Sequence, residues 1–108
     1  MIVTTTPNLE GMRIVCYLNV VFGEVLMATD MGQDFIAGIT NIFGGRSAEY
    51  EEALSSARQE AIEEMQKRAA DMGANAIVGV DIDYESHGQM LMVIASGTAV
   101  VVESSEKE

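Results

Sequence analysis

The residues best placed to do chemistry in this sequence are three carboxylates, Asp81, Asp83 and Glu85, which alternate with other residues. Residues two apart lie on the same face of a β-strand, so the spacing predicts a row of three negative charges. Such charges repel one another unless a cation or a basic side chain lies between them. Carboxylate oxygens are hard ligands that suit calcium or magnesium better than a soft heavy metal. The row is therefore a candidate divalent metal site, and the alternative is a solvated acidic strand that discourages aggregation.

Softer metal ligands are few and lie far apart in the sequence. Cys16 is the single cysteine and His87 the single histidine, and neither belongs to a CxxC or HExxH motif. Cys16 falls in the middle of a predicted strand, where a buried and inert thiol is the alternative to a metal ligand. His87 falls in a predicted hairpin loop, where a solvated imidazole is the alternative to metal coordination. Met90 and Met92 share a strand face, and core packing explains this pair better than a thioether site does.

Arg46 and Ser47 form a candidate anion site. Arg46 stands just before the predicted start of a long helix, where a positive charge opposes the helix dipole and so needs an anionic partner. The free amides of the first helical turn could hold a phosphate or a carboxylate beside it. The alternative is an ion pair between Arg46 and Glu49, or between Arg46 and a carboxylate of a neighbouring subunit. With one loop histidine, no catalytic triad or dyad can be assembled, so the sequence predicts a protein without enzymatic activity.

The long helix is the element that the sequence predicts most clearly. Ser47 is the predicted N-cap, glutamates fill the first turn, and Gly73 is placed to end the helix near Met72. Apolar residues recur at spacings of three and four along one side, and many of them are alanine, which predicts close packing against a sheet. This stripe consists of Tyr50, Ala53, Leu54, Ala57, Ala61, Met65, Ala69 and Met72.

Strands are predicted on both sides of this helix, at residues 2–6, 13–21, 25–28, 76–85 and 90–102. A bulge or a tight hairpin is expected near Gly23, and a shorter helix over residues 30–43. Residues 86–88 are expected to form a hairpin loop. Strict alternation assigns one face of the strand at 76–85 to Ala76, Val78, Val80, Ile82 and Tyr84. The strand at 90–102 is apolar on both faces, more than an outer strand of a small monomer can hide, so self-association is predicted.

The composition is that of one acidic globular domain, at residues 1–103, followed by a polar tail at 104–108. The 108 residues are 48% hydrophobic, and 17 acidic against 6 basic residues give a formal net charge of -11. This charge repels nucleic acid and anionic membranes, so neither is an expected partner. No apolar run approaches the roughly 20 residues of a membrane span. A single cysteine and the lack of a signal peptide predict a cytoplasmic location.

Three motifs resemble the YbjQ family of small bacterial and archaeal proteins. They are GGRSAEYEEAL before the alanine-rich helix, MGANAIVGVDIDYE and MLMVIASGTAV, together with the opening TTT and Gly11. The resemblance covers nearly the whole chain. It implies a ββαββ antiparallel sheet backed by a helix, assembly into pentameric rings, and membership of a group labelled as heavy-metal-binding. The segment MGQDFIAGITNIFGG departs from the family pattern, because it carries glycine, glutamine and threonine where charged residues are common.

The residues and the resemblance together predict an α+β, two-layer ββαββ subunit with an antiparallel sheet, one long helix and one short helix, assembled into a ring. The leading functional hypothesis is non-catalytic binding of a small ligand or metal ion by this homo-oligomer. A divalent metal ion is the cofactor considered, and another copy of the chain is the expected partner. The alternative hypothesis is a purely structural or protein-interaction module without a bound ligand.

Overall fold

The computed structural model describes residues 1–27, 47–87 and 90–105. In chain order these residues form the elements β1 (Ile2–Val3), β2 (Met12–Met27), α1 (Ser47–Asp71), β3 (Ala76–His87) and β4 (Met90–Ser104). The predicted α+β class, with a long helix on a sheet, is confirmed. The short helix predicted over residues 30–43 lies outside the described residues, as do Arg46 and residue 88 of the predicted hairpin loop. Ser86 and His87 were predicted to lie in that loop, but they are the last residues of β3, because the pairing with β4 continues as far as His87 and Met90.

The four strands form one mixed sheet in the order β1-β3-β4-β2. β4 is antiparallel to both of its neighbours, but β1 is parallel to β3, so the prediction of a wholly antiparallel sheet is wrong for this pair. β1 pairs with β3 at the far edge of the sheet instead of forming a hairpin with β2, and β1, β2 and β3 all run in the same direction. β4 is a central strand, which accounts for much of its two-sided apolar character.

Helix α1 begins at Ser47, as predicted, and its end at Asp71 lies one residue before the expected stop. Gly73 has a φ of 94°, and its amide donates to the Ala70 carbonyl at 2.9 Å, while the Ala74 amide donates to the Ala69 carbonyl at 3.1 Å. These two bonds form the Schellman motif that commonly ends a helix at glycine. Met72 lies beyond the helix and is 42% exposed, so its predicted place in the buried stripe is wrong.

The alanine-rich side of α1 packs on one face of the sheet, as the spacing predicted. From α1 this core takes Ala57, Ala61, Met65 and Ala69, and from the sheet Val21, Ile77, Val80, Leu91, Val93, Ala95 and Ala99, among other residues. A smaller cluster of Ala76, Val78, Val100 and Val102 lies on the opposite side of the sheet, where Leu9, Met12 and Ile14 pack on it. The helix therefore covers one side of the sheet, and the segment near the N-terminus covers part of the other.

β2 runs through Gly23 in regular register with β4, so the predicted bulge or tight hairpin near this residue is wrong. The glycine is needed for close packing, because a Cβ atom at this position would lie 1.9 Å from the Ala61 carbonyl oxygen and 2.8 Å from the Met65 amide nitrogen. The backbone of α1 thus lies against the backbone of β2 with no side chain between them.

A bulge in β3 changes which residues share a face. The pairing with β4 passes from Val78 to Asp81, and Gly79, with a φ of 63°, takes up the left-handed conformation that a glycine bulge requires. The predicted alternation over residues 76–85 is therefore wrong before the bulge. Ile77 belongs to the helix-side core, whereas Ala76 and Val78 belong to the cluster on the opposite side.

Backbone groups near the N-terminus hold this bulge in place. The Gly79 amide donates to the Thr6 carbonyl at 2.9 Å, and the Val80 amide donates to the Thr4 carbonyl at 3.0 Å. The predicted strand at residues 2–6 is thus a regular strand only at Ile2–Val3, but its continuation still bonds to β3. These bonds satisfy amides that the irregular β3–β4 pairing would otherwise leave unpaired.

We expect Gly23→Ala to lower the free energy of unfolding by about 3 kcal/mol, the upper end of the usual cost of overpacking, because the new methyl group meets helix backbone that cannot rotate away. Gly11→Ala is the matched control. Gly11 has a φ of 77° but open space around its Cβ position, so only the conformational cost of about 1–2 kcal/mol applies. Urea denaturation of both variants measures the difference, and an equal or smaller loss for Gly23→Ala would contradict this account.

Candidate functional site

The side of the sheet that faces away from α1 carries the candidate functional residues. One end of this side carries the smaller cluster of Ala76, Val78, Val100 and Val102. We call the rest of this side the outer face. It consists of alternate residues on three adjacent strands: Val20, Phe22, Glu24 and Leu26 of β2, Met92, Ile94, Ser96 and Thr98 of β4, and Asp81, Asp83 and Glu85 of β3.

The outer face changes from apolar to acidic across the sheet. On β2, the side chains of Val20, Phe22 and Leu26 are 53%, 46% and 56% exposed. The strand register places Leu26 beside Met92, which lies beside Glu85 on β3. Large apolar side chains grouped on a surface are typical of a site that another molecule covers. The sequence showed this period-two pattern on β2, but sequence reasoning assigned the exposed apolar surface to β4 instead.

The three carboxylates that the sequence singled out do lie on one face of β3, because the bulge comes before all of them. The pKa of Asp83 is raised, chiefly by the negative charge of Asp81, further by a hydrogen bond between these two side chains, and slightly by burial and by the charge of Glu85. The pair therefore holds a proton more readily than an isolated aspartate does. A bound cation would relieve the same repulsion.

The structure separates the softer candidate ligands from this row. Cys16 pairs with Val101 near one end of β4, whereas His87 pairs with Met90 at the other end. Cys16 is exposed, so the alternative of a buried and inert thiol is wrong. Its position on an edge strand exposes it, since no further strand flanks β2 among the described residues.

No group of three or more histidine, cysteine, aspartate or glutamate side chains is arranged to hold a metal ion within residues 1–27, 47–87 and 90–105. The described part of the chain thus supplies two close carboxylates, Asp81 and Asp83, rather than a closed coordination shell. Ser47 begins α1, where the sequence placed it, while its proposed companion Arg46 lies outside the described residues.

Two residues that sequence reasoning missed, Glu64 and Arg68, bind the edge of β2. Arg68 donates from Nη1 to the Phe22 carbonyl at 2.9 Å, and the Glu24 amide donates to Oε1 of Glu64 at 3.2 Å. Arg68 Nη2 also lies 2.9 Å from Glu64 Oε2. The spacing of four residues with opposite charges predicts a pair on the helix surface, but its contact with β2 appears only in the folded chain.

A family model described as "Putative heavy-metal-binding" matches residues 1–103. The chain belongs to the YbjQ family. Among curated relatives, a UPF0145 protein of Listeria ivanovii is 57% identical over an alignment of 109 residues that covers 98% of this chain and 99% of the relative. A UPF0145 protein of Listeria welshimeri is 58% identical over 106 residues, covering 95% and 96% of the two chains.

A solved structure supports the fold of this YbjQ-family chain. It is a protein of unknown function of the DUF74 family from Pediococcus pentosaceus, with a TM-score of 0.58 and 18% identity, covering 95% of this chain and 98% of that one. At this identity the likeness concerns the fold alone. The described part of the chain contains no helix that is long and apolar enough to cross a membrane.

The raised pKa of Asp83 predicts a pH dependence of stability. Because the folded chain holds this proton more tightly than the unfolded chain does, the contribution of Asp83 to stability is fully present below its unfolded pKa and is lost as the pH rises through its folded pKa. We expect Asp81→Asn to lower the pKa of Asp83 and to reduce this fall in stability.

Carboxyl-carbon NMR titration, with thermal unfolding at each pH, measures both effects. Glu85→Gln is the matched control. The charge of Glu85 makes the smallest contribution to the raised pKa of Asp83, so its removal should lower that pKa less than Asp81→Asn does. If Asp83 titrates identically in the wild type and in Asp81→Asn, the coupling between these carboxylates is absent.

Proposed function

We propose that this chain is a non-catalytic subunit of a homo-oligomer, in which the outer face of each subunit packs against another copy. The observation that carries the proposal is the row of exposed apolar side chains, Val20, Phe22 and Leu26, on a sheet face that α1 does not cover. If the outer face of each subunit packs against a different surface of the next subunit, the contacts can repeat head to tail and close into a ring. The pentameric ring implied by the family resemblance is the specific form that we propose.

Packing against a neighbour would also stabilise the subunit. A chain of 108 residues buries a smaller fraction of its surface than a larger domain does, and so folds with little stability to spare. At about 25 cal/mol per Å² of apolar area, an interface of roughly 800 Å² per partner would add stability comparable to that of a small domain. Folding and assembly are therefore linked in this proposal.

Cation binding by the assembled protein is the second candidate function, and the hydrogen-bonded carboxyl pair of Asp81 and Asp83 favours it. The repulsion that raises the pKa of Asp83 would equally favour a hard divalent cation, with further oxygen ligands supplied by a neighbouring subunit. The family description points to metal binding of a softer kind. We place both activities in the cytoplasm, where a single exposed thiol such as Cys16 stays reduced.

We expect the triple variant Val20→Ser, Phe22→Ser, Leu26→Ser to shift the protein from oligomer to monomer, because these substitutions replace exposed apolar side chains without disturbing the helix-side core. Met72→Ser is the control, since Met72 is similarly exposed but lies just after α1 and not on the outer face. Sedimentation equilibrium at micromolar concentration gives the mass of each protein. A folded wild-type monomer of 11.6 kDa would overturn the oligomer.

Metal binding is tested separately on the double variant Asp81→Asn, Asp83→Asn. Native mass spectrometry and calorimetric titration with calcium, magnesium and zinc should show uptake by the wild type, with preference for the hard ions, and its loss in the variant. Glu60→Gln, Glu63→Gln is the matched control, because it removes two charges from the exposed side of α1. Equal heats from all three proteins would show that Asp81 and Asp83 do not form a metal site.

A further inference from the structure

Glu64 and Arg68 form hydrogen bonds with two backbone groups of β2, which is an edge strand of the sheet among the described residues. The groups are the carbonyl of Phe22 and the amide of Glu24, which flank Gly23 on the strand side remote from β4. The guanidinium group of Arg68 makes two hydrogen bonds: Nη1 donates to the Phe22 carbonyl and Nη2 donates to Glu64 Oε2. The two side chains therefore hold each other in position while each binds the strand.

Another β-strand would need these same two groups to extend the sheet at this point. A strand that adds to an edge bonds to the outward carbonyls and amides of alternate residues, and Phe22 and Glu24 are such a pair. β2 is 16 residues long and carries the apolar run NVVFGEVLM, with a single charged residue, Glu24, within it. A long, apolar and unprotected edge is a site for strand addition and aggregation.

The close approach at Gly23 makes this contact possible. Because no Cβ atom separates the strand from the backbone of α1 at Ala61 and Met65, the helix lies near enough for Glu64 and Arg68 to reach around the strand edge. Their side chains are 40% and 51% exposed, so the bonds lie at the surface, where an incoming strand would compete with them.

We propose that Glu64 and Arg68 form an edge lock, which prevents a further β-strand from pairing with β2 around Gly23. With this edge closed, another copy of the chain covers the outer face instead of adding to the sheet. The lock concerns the edge of β2 alone and is independent of the oligomer. Its effect on the mode of assembly rests on the function proposed above.

The test is the double variant Glu64→Ala, Arg68→Ala, compared with Glu63→Ala, Lys67→Ala. Both remove one acid and one base four residues apart on α1, and both place alanine, the best helix former, in the helix. Light scattering coupled to size exclusion and thioflavin T fluorescence should show assemblies of open-ended size for the first variant. The control should keep the mass distribution and fluorescence of the wild type, whether that is monomeric or oligomeric.

Hydrogen exchange at the Glu24 amide reports the lock directly. Loss of one such hydrogen bond should speed this exchange about 5-fold in the Glu64→Ala, Arg68→Ala variant and leave it unchanged in the control. Unchanged exchange would show that the pair does not protect the edge and would overturn the proposal. Faster exchange without larger assemblies would overturn it as well, because an open edge would then recruit no strand.

A single variant, Arg68→Lys, guards against a general loss of folding, which circular dichroism would reveal in the double variant. Lysine keeps the positive charge but cannot bridge Phe22 and Glu64 with a planar fork. We expect a folded protein with faster exchange at Glu24 and slow growth of large assemblies. A wild-type mass distribution over the same period, with unchanged exchange, would contradict the lock.

Discussion

The backbone contact between α1 and β2 at Gly23 is the constraint on which the rest of the structure depends. A single methyl group at this position would lie 1.9 Å from the Ala61 carbonyl oxygen, so the helix can occupy its place only because the strand has no side chain there. The alanine-rich side of α1 completes this approach, since small residues let a helix lie close to a sheet. One helix held this tightly covers one face of the sheet and leaves the outer face on the opposite side uncovered by α1.

The bulge at Gly79 is the second determinant, because it decides what the opposite face carries. If all residues of β3 alternated regularly with no bulge, Asp81 and Asp83 would lie on the same side as Ile77, against the helix-side core. With it, Val80 continues the helix-side core and the carboxylates turn outward. The irregular pairing costs hydrogen bonds between β3 and β4, and the carbonyls of Thr4 and Thr6 replace them. The bulge in β3 therefore depends on the segment that follows β1, which lies beside β3 and accepts these hydrogen bonds.

The outer face combines two surfaces of different character, and the proposed functions use them differently. Exposed apolar side chains on β2 gain free energy when another surface removes them from water. The carboxylates on β3 gain when a proton or a cation reduces their repulsion, as the raised pKa of Asp83 indicates. Both features lie on one sheet, joined by the half-buried residues of β4. Assembly and cation binding would consequently influence each other in an oligomer built from this face.

The sequence by itself determined the family, the long helix with its start at Ser47 and glycine end, and the shared face of Asp81, Asp83 and Glu85. These features are local, because capping, helical spacing and alternation act within a few residues. Only the tertiary structure decided that β1 runs parallel to β3, that Gly23 is a packing position rather than a bulge or a hairpin turn, and that Glu64 and Arg68 bind an edge strand. Those outcomes depend on contacts between residues distant in the chain, and a glycine that permits close packing looks the same in the sequence as a glycine that permits a turn.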